Sequence, residues 1–361
     1  MSGTYVELYK KYRPGAWSDL IGQQRVASSL RAAVVNNSLP TAYGMFGPRG
    51  TGKTSAAMLL AKSLNCLNPQ AGGNPCNTCE VCIAIDSNSQ MGVNYVSMAN
   101  QGSVDDVRSI VQKARLGQPV KKQIWVLDEV HNLSKPAFDS LLIPLEERSM
   151  PSLFILCSTE VDKIPQTIMS RIQQRKFTLV SPDDMRPYLK GIVAKESLAA
   201  TDEMIDEAIR TGKGSVRATL SALEDIVVTG SSSTSFGERL IESLADLNLP
   251  GVLAVVSEAN SDGYDGRDLA EDLFSDLRDI LLLSSGVPVA TVGTPPVKNV
   301  KAVATKLMGS RGLFILSEEV GAAITQMTIG ADSRINLEIA LVKSISRLLK
   351  LRKALSQQAG N

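Results

Sequence analysis

Long apolar runs are missing from this chain of 361 residues. None approaches the ~20 residues that cross a bilayer, and Met1 to Tyr12 is polar and charged, unlike a secretory signal. No membrane association and a cytoplasmic location are therefore expected. Net charge is almost absent as well: 38 basic residues face 37 acidic ones, so no bulk field exists to hold nucleic acid, and any DNA contact must be local or arise by assembly. Aromatic residues make up only 4%, and there is one histidine, His131, which has no partner identifiable from sequence and reads as structural. Cysteines are few, five in all, but four are clustered. In a reducing compartment that clustering favours a metal over disulfides. Hydrophobic content of 43% with 21% charged residues describes an ordinary soluble protein, and the length suggests two or three domains, since single cores rarely grow past roughly 250 residues.

Against that plain background one stretch stands out: Gly47-Pro48-Arg49-Gly50-Thr51-Gly52-Lys53-Thr54 carries all four fixed positions of the phosphate-binding loop. Ala42 to Phe46 before it is short and mostly apolar, as a buried strand should be, and Ser55 to Leu64 after it has helical spacing. Glycines at 47, 50 and 52 let successive N–H groups turn inward toward phosphate oxygens. The positive end of the following helix adds to the anion field. Lys53 is expected to reach the β- and γ-phosphates and the Thr54 hydroxyl to ligate Mg²⁺, with Thr51 and Ser55 also at the nucleotide.

Cys66, Cys76, Cys79 and Cys82 give the spacing C-x9-C-x2-C-x2-C. Four thiolates closing around one ion leave no open coordination position, so structural Zn²⁺ is expected rather than catalysis. Four reduced thiols in a loop, or a redox pair at C-x2-C, are the alternatives. The intervening loop lacks the apolar content to fold without a staple. Cys157, within the strand-like run Leu153 to Ser158, reads as a small buried hydrophobe.

Gln123 to Glu129 is an apolar strand ending in two acids. Adjacent strand ends would bring Asp128 to the phosphate loop to bind or orient the Mg²⁺ shell, while Glu129 would polarise the water that attacks the γ-phosphate. The third strand ends in Ser158-Thr159, hydroxyls able to hold that water or sense the phosphate. Arg171 follows a helical segment, and Arg217 lies in the first turns of a helix opened by Gly214-Ser215.

That order of features resembles the AAA+ ATPases and, within them, the gamma/tau clamp-loader subunits of bacterial DNA polymerase III. Tyr9-Lys10-Lys11-Tyr12-Arg13-Pro14 and Leu20-Ile21-Gly22-Gln23 are similar to the family's N-terminal segment that packs on adenine, which implies base contacts from Tyr12, Arg13 and Ile21. The cysteine insertion after the first helix is the discriminating feature, since most AAA+ proteins lack it. The resemblance implies that Lys53 and Thr54 serve phosphates and magnesium, that Asp128 and Glu129 serve hydrolysis, and that Ser158 or Thr159 is sensor 1. It further implies that Arg217 is the sensor 2 arginine and Arg171 an arginine finger acting in trans on a neighbour's nucleotide. ATP, Mg²⁺ and Zn²⁺ are the implied cofactors. A hetero- or homo-oligomeric ring of clamp-loader subunits, a sliding clamp and primer-template DNA are the implied partners, within a DNA polymerase holoenzyme. ATP binding would open the clamp and load it on primed DNA, and hydrolysis would release both.

Three departures accompany the likeness. Ser170-Arg171-Ile172 stands for the family's Ser-Arg-Cys, Ile143 stands where relatives carry a lysine that faces DNA, and Glu147-Arg148-Ser149 replaces Glu-Pro-Pro. Pro144 also falls inside an expected helix, where it removes a hydrogen bond and tends to kink the chain. Two other readings are an AAA+ ATPase of recombination or branch migration and a noncatalytic assembly subunit. The zinc module and collar argue against the former, and intact Lys53, Glu129 and Arg171 against the latter.

The expected fold class is α/β: a P-loop parallel sheet with a zinc insertion, a small helical lid and an all-α collar. Residues 1–179 form the RecA-like ATPase domain with the module at 66–82. Residues 180–229, including Asp202 to Arg210 and Val216 to Val228, form the lid. Gly230 to Ser235 has linker composition, and 236–355 is the collar, ending in a helix around Ser333 to Leu341, with some apolar face kept for partners. Without the long C-terminal extension of the tau kind, a short gamma-like form is expected.

Overall fold

Strand β1 (Ala42–Phe46) is buried at all five positions, which a strand achieves only when both faces of its sheet are covered. The computed structural model describes residues 6–87, 92–116, 120–229, 236–261, 264–287, 299–328 and 332–358. In it β1 joins β2 (Val93–Ser97), β3 (Gln123–Asp128), β4 (Ser152–Ser158) and β5 (Gln173–Lys176) in a five-stranded sheet of order β2-β3-β4-β1-β5. Every pairing is parallel. Alternate side chains point to opposite faces. Tyr43, Met45, Ile124, Val126, Leu153 and Ile155 therefore pack in one layer with helices α2 (Gln24–Val35) and α3 (Lys53–Asn65). Phe46, Trp125, Leu127, Phe154 and Leu156 pack in the other with α5 (Val104–Leu116) and α6 (Lys135–Glu146), while the short helices α4 (Glu80–Asp86) and α7 (Gln166–Met169) lie in the connections before β2 and β5. Cys157 is fully buried, as its strand position required.

One expectation about the sheet is corrected. β1 and β3 are not neighbours, because β4 pairs with both, Gly44 lying opposite Leu156 and Val126 opposite Ile155. The phosphate loop reaches Asp128 across the end of β4. A second correction concerns Pro144, which does not break its helix: α6 runs through it to Glu146. The proline forfeits the one bond its N–H would have given the Ser140 carbonyl, but it sits two residues from the helix end, so any kink there displaces little of the helix. Pro144 is buried, whereas Ile143 beside it is 69% exposed.

Beyond the sheet, Ser181 caps α8 (Pro182–Glu196) by accepting from the Asp184 N–H at 3.2 Å, and Pro182 fits the first turn, where its missing N–H costs nothing. α9 (Asp202–Gly212) and α10 (Val216–Thr229) follow. Met185, Leu189, Ile192, Ile205, Leu220 and Leu223 form their core, which also takes in Leu8 of the short N-terminal helix α1 (Leu8–Lys11). Buried Gln23 fastens the N-terminal segment to the strand exit, donating to the Thr178 carbonyl at 2.7 Å and accepting from its N–H at 3.2 Å.

The chain divides into two compact units, 1–230 and 231–361. The expected linker, 230–235, lies outside the described residues. The second unit is helical where described, with helices Phe236–Ala245, Leu249–Ser261, Gly266–Ser284, Val300–Lys306, Gly309–Thr328 and Ser333–Gln358. Leu240, Leu244, Leu269, Leu273, Leu277, Ile280, Leu341, Ile345 and Leu348 form its core. Ile335, Ile339 and Val342, on the same final helix, are instead 53%, 47% and 40% exposed.

Candidate functional site

Between the phosphate loop, the N-terminal segment and the start of α10 lies a cavity of about 770 Å³. β1 delivers the loop, and α3 begins immediately after it, so Lys53 and Thr54 occupy the first turn of a helix whose positive end faces the cavity. Gly50 has φ +71° and no room for a side chain: a Cβ there would come within 2.0 Å of the Ser215 hydroxyl oxygen. The loop thus touches the first residues before α10 directly. Lys53 is 8% exposed and donates to the carbonyls of Gly47 and Pro48, both at 2.7 Å. Burial pulls its pKa below the ordinary lysine value.

The cavity brings together Tyr12, Arg13, Ile21, Gly50, Thr51, Gly52, Lys53, Thr54, Ser55, Asp128, Glu129, Thr159 and Arg217. All were expected at the nucleotide or in its hydrolysis. Gly47, also expected there, does not line the cavity; its carbonyl accepts from Lys53 Nζ at 2.7 Å. Ser158, the alternative to Thr159, turns away: its hydroxyl lies 3.0 Å from His131 Nδ1, whose Nε2 is 3.3 Å from Glu160. This supplies the partners of His131 that the sequence could not.

Thr54 Oγ1 donates to Asp128 Oδ2 at 3.4 Å. Two oxygens at adjacent corners of a magnesium octahedron stand about 2.9 Å apart, so this pair suits a shared Mg²⁺ after a small adjustment. Glu129 follows at φ +54°, ψ +43°, a left-handed conformation that costs a non-glycine residue on the order of 1 kcal/mol. That turn carries its carboxylate past the strand end, where the exposed Arg49 pairs with it at 3.2 Å.

Arg171 is elsewhere. It precedes β5, whose Gln173 lies opposite Tyr43 near the beginning of β1, whereas the phosphate loop follows the end of β1. The length of a five-residue strand, roughly 16 Å, separates the two levels. Its guanidinium pairs with Glu146 at 2.7 Å and donates to the Thr167 carbonyl at 2.7 Å.

Sequence reasoning missed Tyr95. Its hydroxyl donates to Asp128 Oδ2 at 2.5 Å, the oxygen that Thr54 also meets. The register explains the contact: Tyr95 lies opposite Val126 and Ser97 opposite Asp128, so Tyr95 and Asp128 share one sheet face as diagonal neighbours. Burial and the adjacent carboxylate push its phenol pKa well above the usual value. Tyr9, part of the N-terminal segment expected at the base but given no contact of its own, also lines the wall, and the Arg217 guanidinium stacks over its ring at 4.7 Å.

The four clustered cysteines converge, with all four sulfurs within 4.8 Å of one another. A tetrahedral zinc with Zn–S of about 2.3 Å requires sulfurs about 3.8 Å apart, a spacing this cluster suits. Backbone N–H groups already aim at the sulfurs, Cys76 N to Cys66 Sγ at 3.2 Å and Cys79 N to Cys76 Sγ at 3.3 Å. The Thr78 N–H holds the Cys76 thiol down to about 5, while burial pushes Cys66 and Cys82 up.

Comparison with known proteins adds a family context. Residues 22–181 match the family described as DNA polymerase III, delta subunit. The DNA polymerase III subunit tau of Bacillus subtilis is 30% identical over 360 residues, covering 94% of this chain and 63% of that protein. The gamma/tau subunit of Mycoplasma pneumoniae is 37% identical over 241 residues, covering 66% of this chain and 34% of that protein. Among solved structures, the Thermotoga maritima RuvB Holliday junction branch migration motor is similar with a TM-score of 0.45 and 17% identity, covering 83% of this chain and 86% of that one. The chain spans under two thirds of the length of these two subunits.

Proposed function

The chain belongs to the DNA polymerase III gamma/tau family, and on that premise we propose that it is an ATPase subunit of a clamp loader in the cytoplasm. Its first unit would comprise the ATPase domain, 1–179, and the lid, 180–229, and its second, from 236 to 355, the collar. ATP is the proposed substrate. The loop amides and Lys53 bind its β- and γ-phosphates, and Tyr12, Arg13 and Ile21 contact the base. Thr54 and Asp128 hold Mg²⁺, which when bound neutralises phosphate charge. Glu129 orients the attacking water and accepts its proton, while Thr159 and Arg217 respond to the γ-phosphate from the sheet and the lid. Cys66, Cys76, Cys79 and Cys82 hold Zn²⁺, which when bound supplies a closed structural cross-link.

In this reading ATP binding shapes a spiral of subunits that opens a sliding clamp and grips primer-template DNA, and hydrolysis releases both. Arg171 completes the site of a neighbour. The observation that carries the reading is the gathering of a basic loop, two strand-end acids, a hydroxyl and a lid arginine around one cavity of nucleotide size. The test is ATP turnover by the purified chain with and without other clamp-loader subunits, clamp and primed DNA. Strong stimulation by clamp and DNA together is expected. No stimulation in any combination overturns the clamp-loader assignment, and no turnover at all overturns the ATPase.

A further inference from the structure

The wall of the cavity formed by Tyr12, Arg13, Pro14, Asp19, Leu20 and Ile21 is interrupted at residues 15–18, and these lean on the cysteine module. The Asn77 side-chain amide donates to the Gly15 carbonyl at 3.0 Å. The Trp17 indole N–H donates to the Gly73 carbonyl at 3.0 Å, and the Trp17 backbone N–H donates to Asn74 Oδ1 at 3.1 Å. Trp17 is only 4% exposed, so its two bonds are part-buried and partly sheltered from competing water, whereas the Asn77–Gly15 bond lies at the surface.

Asn77 stands between Cys76 and Cys79 and has φ +57°, a backbone state that asparagine tolerates and alanine resists. Its other side-chain atom accepts from Lys62 Nζ at 2.9 Å, and Lys62 is itself 4% exposed. Lys62 belongs to α3, the helix that starts with Lys53 and Thr54. One asparagine inside the metal loop therefore ties the helix bearing the phosphate-binding residues to the segment on the base side of the cavity.

We propose that the module of Cys66 to Cys82 is a strut for the base wall, with Asn77 and Asn74 as its positioning residues, so that metal occupancy sets the affinity for the nucleoside part of ATP. The inference rests on the ATP-binding reading above. It makes the module an allosteric input to the pocket rather than a separate fold-stabilising knot. The thiolates shape the 66–82 loop, the loop presents two asparagine side chains, and these fix where residues 13–21 stand.

The experiment uses the full chain and two probes, a fluorescent ATP analogue and inorganic tripolyphosphate, with zinc content measured alongside. Asn77→Asp is the informative change. Aspartate tolerates the same backbone and still accepts from Lys62, but it cannot donate to the Gly15 carbonyl. Loss of that bond is expected to weaken the ATP analogue roughly fivefold while tripolyphosphate affinity and zinc content stay at wild-type values. Asn74→Ala, which removes the acceptor for Trp17, is expected to do the same and decides the matter should Asn77→Asp not fold. Cys79→Ser is expected to lose zinc and show the same selective loss of analogue binding. Unchanged analogue affinity in the asparagine variants overturns the strut, as does equal weakening of both probes. A wild-type chain that binds neither probe instead overturns the ATP-binding reading.

Discussion

The Glu129 carboxylate sits on a backbone turn that no sequence pattern announces, and its proposed work depends on charge rather than shape. Glu129→Gln keeps the shape. It is expected to bind ATP as the wild type does and to lose about 10²–10⁴ in turnover, measured by equilibrium binding and phosphate release. Retained turnover removes the glutamate from the chemistry. Tyr95 makes a different case, because its phenol occupies the Asp128 oxygen nearest Thr54. Tyr95→Phe frees that oxygen, and one lost competing hydrogen bond is on the order of 1 kcal/mol. The Mg²⁺ needed for half-maximal nucleotide binding is expected to fall roughly fivefold, and an unchanged requirement would leave Tyr95 as packing only. The strand–loop–helix at 42–65 and the cavity it lines were legible, because a loop proposed to hold phosphate needs fixed residues at fixed spacing. Tyr95 was not, since β2 is a short edge strand with no motif and the contact exists only through its register with β3.

Helices and buried strands were easier to read than edges or strand order. β1, β3 and β4 are nearly all buried, so continuous apolar runs marked them, whereas β5, Gln-Gln-Arg-Lys, is polar and mostly exposed and resembles a loop in sequence. That polarity suits an edge that must not recruit further strands. Nothing local encodes which strand lies between two others, which is why the insertion of β4 between β1 and β3 escaped notice. The cysteine module was legible from spacing, and its protonation chemistry gives a testable pH dependence. Metal binding requires all four sulfurs deprotonated. Cys76 already has its pKa lowered to about 5, but Cys66 and Cys82 are raised by burial and must give up protons to the solvent. Zinc affinity is therefore expected to fall as pH falls through neutrality and below, seen as faster transfer to a chromogenic chelator. A pH-independent transfer would mean that sulfurs are not the donors.

For the chain as a whole, the informative distance is the one between Arg171 and the cavity, at opposite ends of the strands. Sequence order suggested the arginine but could not show that its own pocket lies out of reach. Arg171→Ala is expected to leave ATP binding and basal hydrolysis of the isolated chain unchanged and to lower turnover of the assembled complex by about 10³ or more. Loss of equal size in the isolated chain would contradict service to a neighbour. Glu146, which now pairs with this arginine, would have to release it when a second subunit docks.

If Arg171 serves a neighbour as proposed, a first unit with its reagent at one end of the sheet and the matching receptor at the other joins its fellows only head to tail. A closed circle of such molecules wastes nothing. An open row always ends with one idle guanidinium and one incomplete pocket, so the number of working sites reports whether the circle has a gap.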